Sequence, residues 1–134
     1  MKPIYVAGMF SANNVLDLLD NVRIGERAGT KLFLMGYAPF VPWFDRGFHG
    51  HLREGENLTL QEYYDYSIAW LRRSDELWVL PNSEKSRGTQ KEIEIAEEMG
   101  IPIYDIIDIE SMIYTKRQEE TLRHECPLYR EFTL

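Results

Sequence analysis

The segment SRGTQKE, residues 86–92, combines residue types that bind anions with a carboxylate at a position where the chain should be apolar. It follows an apolar run and begins a helical pattern that continues to Met99. At about 100° of rotation per residue, Glu92 falls in the middle of the arc that carries Ile95 and Ala96. A carboxylate that faces a core must find a partner or take up a proton. Glu92 is therefore the first candidate for a catalytic group.

The start of this helix also has the features of an anion-binding site. Ser86 can cap the helix, and Gly88 two residues later allows a ligand to approach the backbone closely. The unpaired N–H groups of the first turn and the helix dipole favour negative charge there, so a phosphate group fits. A plain N-cap followed by a glycine would use the same two residues, so these residues alone leave both interpretations open.

Two further polar side chains are expected to face inward near Glu92. Tyr5 lies in the first apolar strand, where it either packs in the core or donates a hydrogen bond to Glu92. In the helix over residues 59–73, Ser67 falls on the inward face and Asp65 on the outward one. Ser67 is either part of the site or a small residue for close packing whose hydroxyl bonds a backbone carbonyl one turn back. The predicted inward face of this helix consists of Leu60, Tyr63, Tyr64, Ser67, Trp70 and Leu71.

The loop over residues 43–57 is rich in side chains that contact ligands in other proteins. Trp43, Phe44 and Phe48 could cover a ligand and stack on a nucleobase, and packing over the sheet edge or against a second subunit is an equal alternative. Asp45, His49 and His51 of this loop lie close together in sequence and could ligate a metal. No further ligands follow at suitable spacing, so we expect no metal site.

Apolar segments and helical patterns alternate along the whole chain. The predicted strands cover residues 3–8, 37–42, 75–82 and 101–106. The predicted helices cover residues 15–36, 59–73, 86–99 and 108–124. Asn13 or Asn14 is expected to cap the first helix, and Thr59 with Glu62 forms a capping box at the second. Near-continuous apolar strands separated by helices indicate a parallel sheet covered on both faces.

The expected architecture is therefore an α/β fold with three layers. A doubly wound parallel sheet of four to five strands, flavodoxin-like or Rossmann-like, lies in the middle. Such sheets bind ligands at the carboxyl ends of the strands, where the strand order reverses. Gly8 ends the first strand there, so we expect its loop to contact substrate. A dinucleotide fingerprint needs three spaced glycines, and here Gly8 is the only glycine at the end of the first strand. The sequence also has no Walker-type lysine motif. We therefore expect no nicotinamide or ATP cofactor.

Composition restricts the class of protein further. The chain has 134 residues, of which 44% are hydrophobic and 28% charged, and we interpret residues 1–134 as one domain. The start lacks a signal-peptide pattern and no apolar run could span a bilayer, so we expect a cytoplasmic protein with no membrane partner. The net charge of −7 disfavours binding to a nucleic-acid polymer. The single cysteine, Cys126, cannot form an internal disulfide.

Taken together, these residues resemble the nucleoside 2-deoxyribosyltransferase superfamily, including its 2′-deoxynucleoside 5′-monophosphate N-hydrolases. The resemblance covers about residues 3–106. It is carried by the opening IYVAG, by the segment AWLRRSDELWVLP, and by SRGTQKE with its Ser, Gly and Glu at fixed spacing. The small bacterial and phage relatives with an extended second strand, here GYAPFVPW, are the most similar branch.

The resemblance implies a site that breaks an N-glycosidic bond. It implies that Glu92 is the nucleophile that attacks the anomeric carbon of the sugar, that Tyr5 orients Glu92, and that Ser86 and Gly88 hold a 5′-phosphate. It also implies a small-molecule nucleoside or nucleotide as substrate, no cofactor, and a homo-oligomer of two or more subunits whose sites can borrow residues from a neighbour.

One departure from the family pattern concerns the acid that protonates the leaving base. Ser67 occupies the position where active relatives carry that acid, and a serine is a far poorer proton donor. Asp45 or a histidine of the long loop could supply the proton, a base that leaves readily could be used, or catalysis could be lost. The sequence therefore favours an enzyme of this class, with a non-catalytic nucleotide-binding module as the alternative and a scaffold for partner binding as a third interpretation.

Overall fold

The central element of the fold is a five-stranded sheet. The computed structural model describes residues 1–117, and the predicted helical residues 118–124 and Cys126 lie outside this range. The strands of the sheet are β1 (Pro3–Ala7), β2 (Ala38–Phe40), β3 (Glu76–Val79), β4 (Ile103–Asp108) and β5 (Ile113–Lys116). They are arranged in the order β2-β1-β3-β4-β5. The first four pair in parallel, whereas β5 runs antiparallel to β4.

Helices cover both faces of this sheet. They are α1 (Val15–Leu34), the short α2 (Arg46–His49) after a 3-10 turn (Pro42–Asp45), α3 (Leu60–Leu71) and α4 (Arg87–Met99). On one face, α1 packs through Val22 and Leu32 against a core that includes Ile4 and Val6 of β1. On the other face, α3 and α4 pack against a second core, which includes Tyr5, Ala7, Leu71, Leu77, Ile93 and Ala96. The side chains of β1 thus alternate between two cores, as the pleat of a strand requires.

The strand order defines where a ligand can bind. From β1 the chain crosses to β2 on one side, and from β2 it crosses back to β3 on the other side of β1. The order therefore reverses between β1 and β3, and in open α/β sheets the crevice beyond the carboxyl ends of two such strands is the usual ligand site. The prediction of a doubly wound, flavodoxin-like or Rossmann-like sheet is confirmed.

Local capping signals fix the helix ends as predicted. The Asn14 side chain accepts a hydrogen bond from the Asp17 N–H at 2.9 Å, and Thr59 accepts one from the Glu62 N–H at 3.2 Å. Gly100 ends α4 with a φ of 70°, a left-handed conformation that favours glycine. No helix within residues 1–117 is both long enough and apolar enough to cross a membrane.

The predicted last helix is wrong over its described part, residues 108–117, none of which is helical. Residues 113–116 form β5, which follows a turn in which Met112 has a φ of 49°. Ile113, Tyr114 and Thr115 are β-branched or aromatic and favour a strand that can pair with the edge of β4. The Tyr114 ring packs edge-on against Trp78, with 4.7 Å between the ring centroids. Sheet pairing and aromatic packing therefore decide the conformation here.

The predicted inward face of α3 is only partly correct. Leu60, Tyr64 and Trp70 are 67%, 48% and 47% exposed, although all three were expected to be buried. Leu71 at the end of the helix is fully buried. The helix therefore reaches the core through Ile68 and Leu71, whereas Leu60 at its start stays exposed. Ser67, by contrast, is half-buried as expected, and Asp65 is exposed.

Candidate active site

Helix α4 begins with a tightly built N-terminus. The Ser86 Oγ accepts hydrogen bonds from the Thr89 N–H at 3.2 Å and from the Thr89 hydroxyl at 2.9 Å. Thr89 is fully buried and holds this turn in place. Because Ser86 acts as the acceptor in both bonds, its own hydroxyl proton remains available to a ligand at the helix end.

Glu92 lies one turn further along α4, and its carboxyl is largely removed from water. The residue keeps some exposure, but Oε2 is buried and has no hydrogen-bond partner among the described residues. Burial raises the pKa of Glu92 from 4.5 to about 7, and the Tyr5 hydroxyl opposes part of this shift by hydrogen bonding to the carboxyl. Near neutral pH, Glu92 is therefore divided between its protonated and its ionised form.

Gly88 leaves open the space next to this carboxyl. A Cβ atom built on Gly88 would lie 4.0 Å from Oε1 of Glu92, and apart from its chain neighbours and the backbone of its own helix no atom would be nearer. A side chain at position 88 would therefore occupy volume beside the carboxyl. With glycine, a ligand can approach both the backbone of the first turn and Glu92.

Tyr5 brings the other polar groups of the site together. Its side chain is 1% exposed, and its ring stacks on Phe40 with 5.3 Å between the centroids. Burial, and after it the nearby charge of Glu92, raise the pKa of the Tyr5 hydroxyl well above its usual range. A hydrogen bond with Ser67 acts in the opposite direction, and the charge of Asp45 adds to the rise. The surroundings of this hydroxyl thus include Glu92, Ser67 and Asp45.

Asp45 comes from the segment that follows β2. It ends the 3-10 turn that Pro42 begins, and it is half-buried. Burial raises the pKa of its carboxyl. The Asp45 side chain makes no capping bond to α2, although it occupies the N-cap position of that helix. Its carboxyl is therefore not used to cap α2.

Trp43 packs in the core, so its ring is not exposed to cover a ligand and lies apart from Tyr5. Its side chain is 2% exposed and belongs to the core beneath α1, on the opposite face of the sheet from Tyr5. The indole Nε1–H donates to the Met9 carbonyl at 3.3 Å. A Cβ on Gly25 of α1 would lie 2.2 Å from the indole ring, so Trp43 occupies a groove that this glycine opens. Phe44 and Phe48 remain exposed.

Gly8 has a packing role at the end of β1. A Cβ at this position would lie 2.4 Å from the Leu80 side chain, so any larger residue would push β1 and the end of β3 apart. The Leu80 N–H also donates to the Ala7 carbonyl at 2.8 Å. The glycine therefore allows the close approach of two chain segments beside the crevice, and a contact with substrate is not needed to explain it.

An aromatic cluster beside Tyr5 was not anticipated from the sequence. Phe40 contacts Tyr5, Tyr66 and Trp70, and Tyr66 in turn meets the edge of Phe48 at 5.3 Å between centroids. The cluster connects the buried ring of Tyr5 to the exposed ring of Phe48. The alternation of side chains in the short strand β2 could have indicated that Phe40 lies on the same face as Tyr5.

The loop histidines are engaged with neighbouring groups. His49 Nδ1 lies 3.5 Å from the Tyr63 hydroxyl, and His51 Nδ1 lies 2.7 Å from the Gly47 carbonyl. Within residues 1–117, no three His, Cys, Asp or Glu side chains are arranged to hold a metal ion.

Two surface clefts lie away from Glu92. The larger has a volume of about 500 Å³ and is lined by Arg23, Ile24, Arg27, Pro81, Asn82, Ile107, Asp108, Ile109 and Glu110. The other has about 390 Å³ and is lined by Met9, Ser11, Ala12, Asn13, Asp17, Asp20 and Asn21. Neither contains Tyr5, Ser67 or Glu92, so the candidate site is defined by its chemistry and not by the size of a cavity.

The fold and the site define a doubly wound α/β protein with a buried carboxyl group beside the point where the strand order reverses. The chain belongs to the DUF4406 family, described as a domain of unknown function, whose family model matches residues 2–105. It is also similar in structure to a 2-deoxyribosyltransferase from the psychrotolerant bacterium Bacillus psychrosaccharolyticus. That similarity has a TM-score of 0.53 at 17% sequence identity and covers 95% of each chain. No curated protein matches the sequence.

The comparison bears on the fold predicted from the sequence. At this level of identity the similarity concerns the architecture, and it agrees with the expected likeness to the 2-deoxyribosyltransferase fold. The roles of individual residues must be argued from the chain itself.

Proposed function

We propose that the protein cleaves or transfers at the N-glycosidic bond of a deoxynucleoside, a nucleoside or the corresponding 5′-monophosphate. The proposal rests on the environment of the Glu92 carboxyl. Its buried Oε2 lacks a hydrogen-bond partner among the described residues, and its other oxygen borders the open space at Gly88. A desolvated carboxylate held by a tyrosine hydroxyl is suited to attack an electrophilic carbon.

The chemistry proposed for Glu92 is a double displacement. The ionised carboxylate attacks the anomeric carbon, the base departs, and a glycosyl ester forms on Glu92. Water then resolves the ester in hydrolysis, or an incoming base resolves it in transfer. Tyr5 holds the carboxylate through its hydroxyl and favours the ionised form. Neither step transfers electrons to an acceptor, so the reaction needs no redox cofactor.

The start of α4 is the proposed site for the 5′-end of the substrate. The Ser86 hydroxyl, the N–H groups of the first turn and the positive end of the helix dipole all favour an anion there. Gly88 is the residue that would let a phosphate lie against this turn while the sugar lies over Glu92. This arrangement supports a 5′-monophosphate as the preferred substrate.

Exposed aromatic rings offer a surface for the base. Phe44 is 61% exposed and Phe48 is 48% exposed, and Phe48 rests against Tyr66. Base–aromatic stacking is worth about 1–3 kcal/mol and tolerates different bases. We further propose, from the family resemblance and from the exposed side chains of Leu60 and Trp70, that the enzyme is a homo-oligomer.

Release of free base from a panel of substrates tests the proposal. The panel contains the four common 2′-deoxynucleosides, their ribose counterparts and the 5′-monophosphates of both, and the products are separated by chromatography. We expect wild-type protein to release base from at least one of them, and Glu92→Gln to release none above background. Glu94→Gln is the matched control, since Glu94 is exposed on the same helix. Full activity of Glu92→Gln would contradict the proposal.

A second function, a nucleotide-binding module without catalysis, is favoured by Ser67. A serine beside the site cannot replace the carboxylic acid that protonates a leaving base. The module predicts that calorimetry detects binding of a 5′-monophosphate while the panel gives no free base. The scaffold interpretation predicts no pocket at Glu92, and an internal ion pair of Glu92 would favour it. Within residues 1–117 Glu92 forms no ion pair, and neither of the two clefts described above includes it.

A further inference from the structure

Two cations flank the proposed phosphate site at the start of α4. Lys85 precedes the capping residue Ser86, and Arg87 follows it as the first residue of the helix. Both side chains are exposed, and neither pairs with another residue of the part of the chain that the structure describes. Arg46 and Arg117, by contrast, each pair with a carboxylate, at 2.9 and 2.7 Å. Lys85 and Arg87 are therefore available to a ligand.

The helix dipole disfavours a cation at this position. Negative charge is favourable in the first turn of a helix and positive charge in the last. Helices α1 and α3 follow this rule, with Asp17 and Glu62 in their first turns. Helix α4 has no acidic residue in its first turn and begins with Arg87. Arg87 therefore does not stabilise the helix that contains it, and an anion bound at the helix end would reverse this disadvantage.

The Glu92 carboxyl makes the binding of an anion at the start of α4 costly. Its Oε2 is buried without a partner among the described residues, and its Oε1 lies 4.0 Å from the place of a Cβ on Gly88. Positions 88 and 92 are about 6 Å apart along the helix axis. A phosphate monoester carries about −1.5 to −2 charges at pH 7, and a like charge nearby disfavours the ionised form of a carboxyl group. A phosphorylated substrate would thus suppress the nucleophile that must attack it.

The described surroundings of Glu92 contain no charge that offsets this repulsion. Burial and the Tyr5 hydroxyl are the two causes that set the pKa of Glu92, and no charged group of residues 1–117 contributes to it. From α3, Ser67 bonds the Tyr5 hydroxyl, and the charge of Asp45 acts on Tyr5 but not on Glu92. A phosphate at the start of α4 therefore needs its own counter-charge if Glu92 is to stay ionised.

We propose that Arg87 binds the 5′-phosphate of the substrate and neutralises its charge beside Glu92, with Lys85 as a second, weaker contact. This inference rests on the proposed function and on its placement of the phosphate at the start of α4. A guanidinium group can offer two parallel N–H donors to a phosphate, whereas an ammonium group is a point charge. Arg87 thus selects phosphorylated substrates and keeps the nucleophile ionised when they bind. It contacts the substrate away from the reacting bond, so it determines specificity.

Rates on phosphorylated and unphosphorylated substrates test the role of Arg87. Arg87→Gln should lower kcat/KM on 2′-deoxynucleoside 5′-monophosphates by about 10- to 100-fold, the range for a hydrogen bond to a charged group, and leave the 2′-deoxynucleosides unchanged. Arg87→Lys keeps the charge and should recover part of the loss. Arg72→Gln is the matched control. Arg72 is an exposed arginine at the end of α3, where the chain turns towards β3 at the edge of the sheet opposite the site.

The pH dependence of kcat gives a readout that a structural role would not change. With 5′-monophosphates, the acidic limb for Arg87→Gln should lie roughly one pH unit above that of wild type, because the phosphate then raises the pKa of Glu92 unopposed. With unphosphorylated nucleosides the acidic limbs of both proteins should coincide. Loss of a cation from the first turn should not lower the free energy of unfolding, so urea denaturation checks that the variant is folded.

A sugar phosphate allows the same comparison without catalysis. 2-Deoxyribose 5-phosphate has the phosphate and the sugar of the substrate but no base to release. Carbon-13 NMR of the labelled Glu92 carboxyl is recorded at saturating concentrations of this compound, with 2-deoxyribose as the unphosphorylated control. We expect the titration midpoint of Glu92 with the sugar phosphate to be roughly one pH unit higher in Arg87→Gln than in wild type. With 2-deoxyribose the two proteins should not differ.

The outcomes separate this inference from the proposed function. Equal losses of kcat/KM on both substrate forms, or coinciding titration midpoints with the sugar phosphate, would overturn the role of Arg87 and leave Glu92 as the nucleophile. If wild-type protein releases base from no compound, the proposed function fails. The titration with 2-deoxyribose 5-phosphate then still decides whether Arg87 offsets the charge of a phosphate beside Glu92.

Discussion

Tyr5 and Glu92 face each other on the α3 and α4 side of the sheet, and each shifts the pKa of the other. The Tyr5 hydroxyl lowers the pKa of the Glu92 carboxyl, and the charge of Glu92 raises the pKa of Tyr5. Tyr5 is in β1 and Glu92 is in α4, so the sheet and a helix that packs on it must both be in place for this contact. The pair links the fold directly to a measurable property, the ionisation of a buried acid.

The first prediction concerns stability as a function of pH. The pKa of Glu92 is about 7 in the folded protein and 4.5 as its ordinary value. Between these pH values the unfolded chain releases a proton that the folded protein retains, so the free energy of unfolding decreases as the pH rises. The full difference between these two pKa values corresponds to a loss of about 3 kcal/mol in the free energy of unfolding above pH 7. Glu92→Gln should therefore be more stable than wild type at pH 8, and by much less at pH 5.

Urea denaturation of both proteins at pH 5 and pH 8 measures this effect. Glu94→Gln is the control, since the same change at an exposed site of α4 should give no difference between the two pH values. If Glu92→Gln is destabilised equally at pH 5 and at pH 8, the prediction is contradicted, and the carboxylate is then stabilised by favourable contacts in the folded state.

The second prediction concerns the hydrogen bond between the two residues. Tyr5→Phe removes the hydroxyl and keeps the ring that stacks on Phe40. Without its donor the ionised form of Glu92 loses stabilisation, so the pKa of Glu92 should rise above 7. The acidic limb of the pH–rate profile should shift to higher pH, and the rate at pH 7 should fall because less Glu92 is ionised.

The ionisation of Glu92 can also be followed without catalysis. Carbon-13 NMR of the labelled side-chain carboxyl reports the titration of Glu92 in wild type and in Tyr5→Phe. Tyr64→Phe is the control, because Tyr64 is a half-exposed tyrosine of α3. A titration midpoint for Tyr5→Phe at or below that of wild type would contradict the expected direction.

The parts of the fold that are encoded by local sequence were predictable. Apolar runs mark the first four strands, and the caps at Asn14, Thr59 and Ser86 depend on one side chain and a backbone group three residues later. The inward position of Glu92 follows from helical periodicity alone. These features need no knowledge of what lies across the core.

Features that depend on distant partners were not predictable to the same extent. Trp43 lies under α1 because Gly25 leaves room for its ring and Gly29 leaves room for Val41. Two glycines four residues apart in a helix indicate that another segment approaches closely, so this signal was present in the sequence. The strand β5 depends on its pairing with β4, and its residues fit a helical pattern equally well in isolation.

The third prediction separates helix capping from phosphate binding at Ser86. Aspartate caps helices about as well as serine does, and its charge interacts favourably with the helix dipole. Ser86→Asp should therefore keep α4 intact, while its carboxylate repels a 5′-phosphate at the same place. Ser86→Ala loses the acceptor for the Thr89 N–H and should cost about 1 kcal/mol of stability.

We expect Ser86→Asp to lower kcat/KM for 5′-monophosphates at least tenfold more than for the unphosphorylated nucleosides. Steady-state kinetics on both substrate forms, with unfolding free energies of both variants, checks this. An equal change on the two forms would place the phosphate elsewhere and leave Ser86 as a helix cap alone.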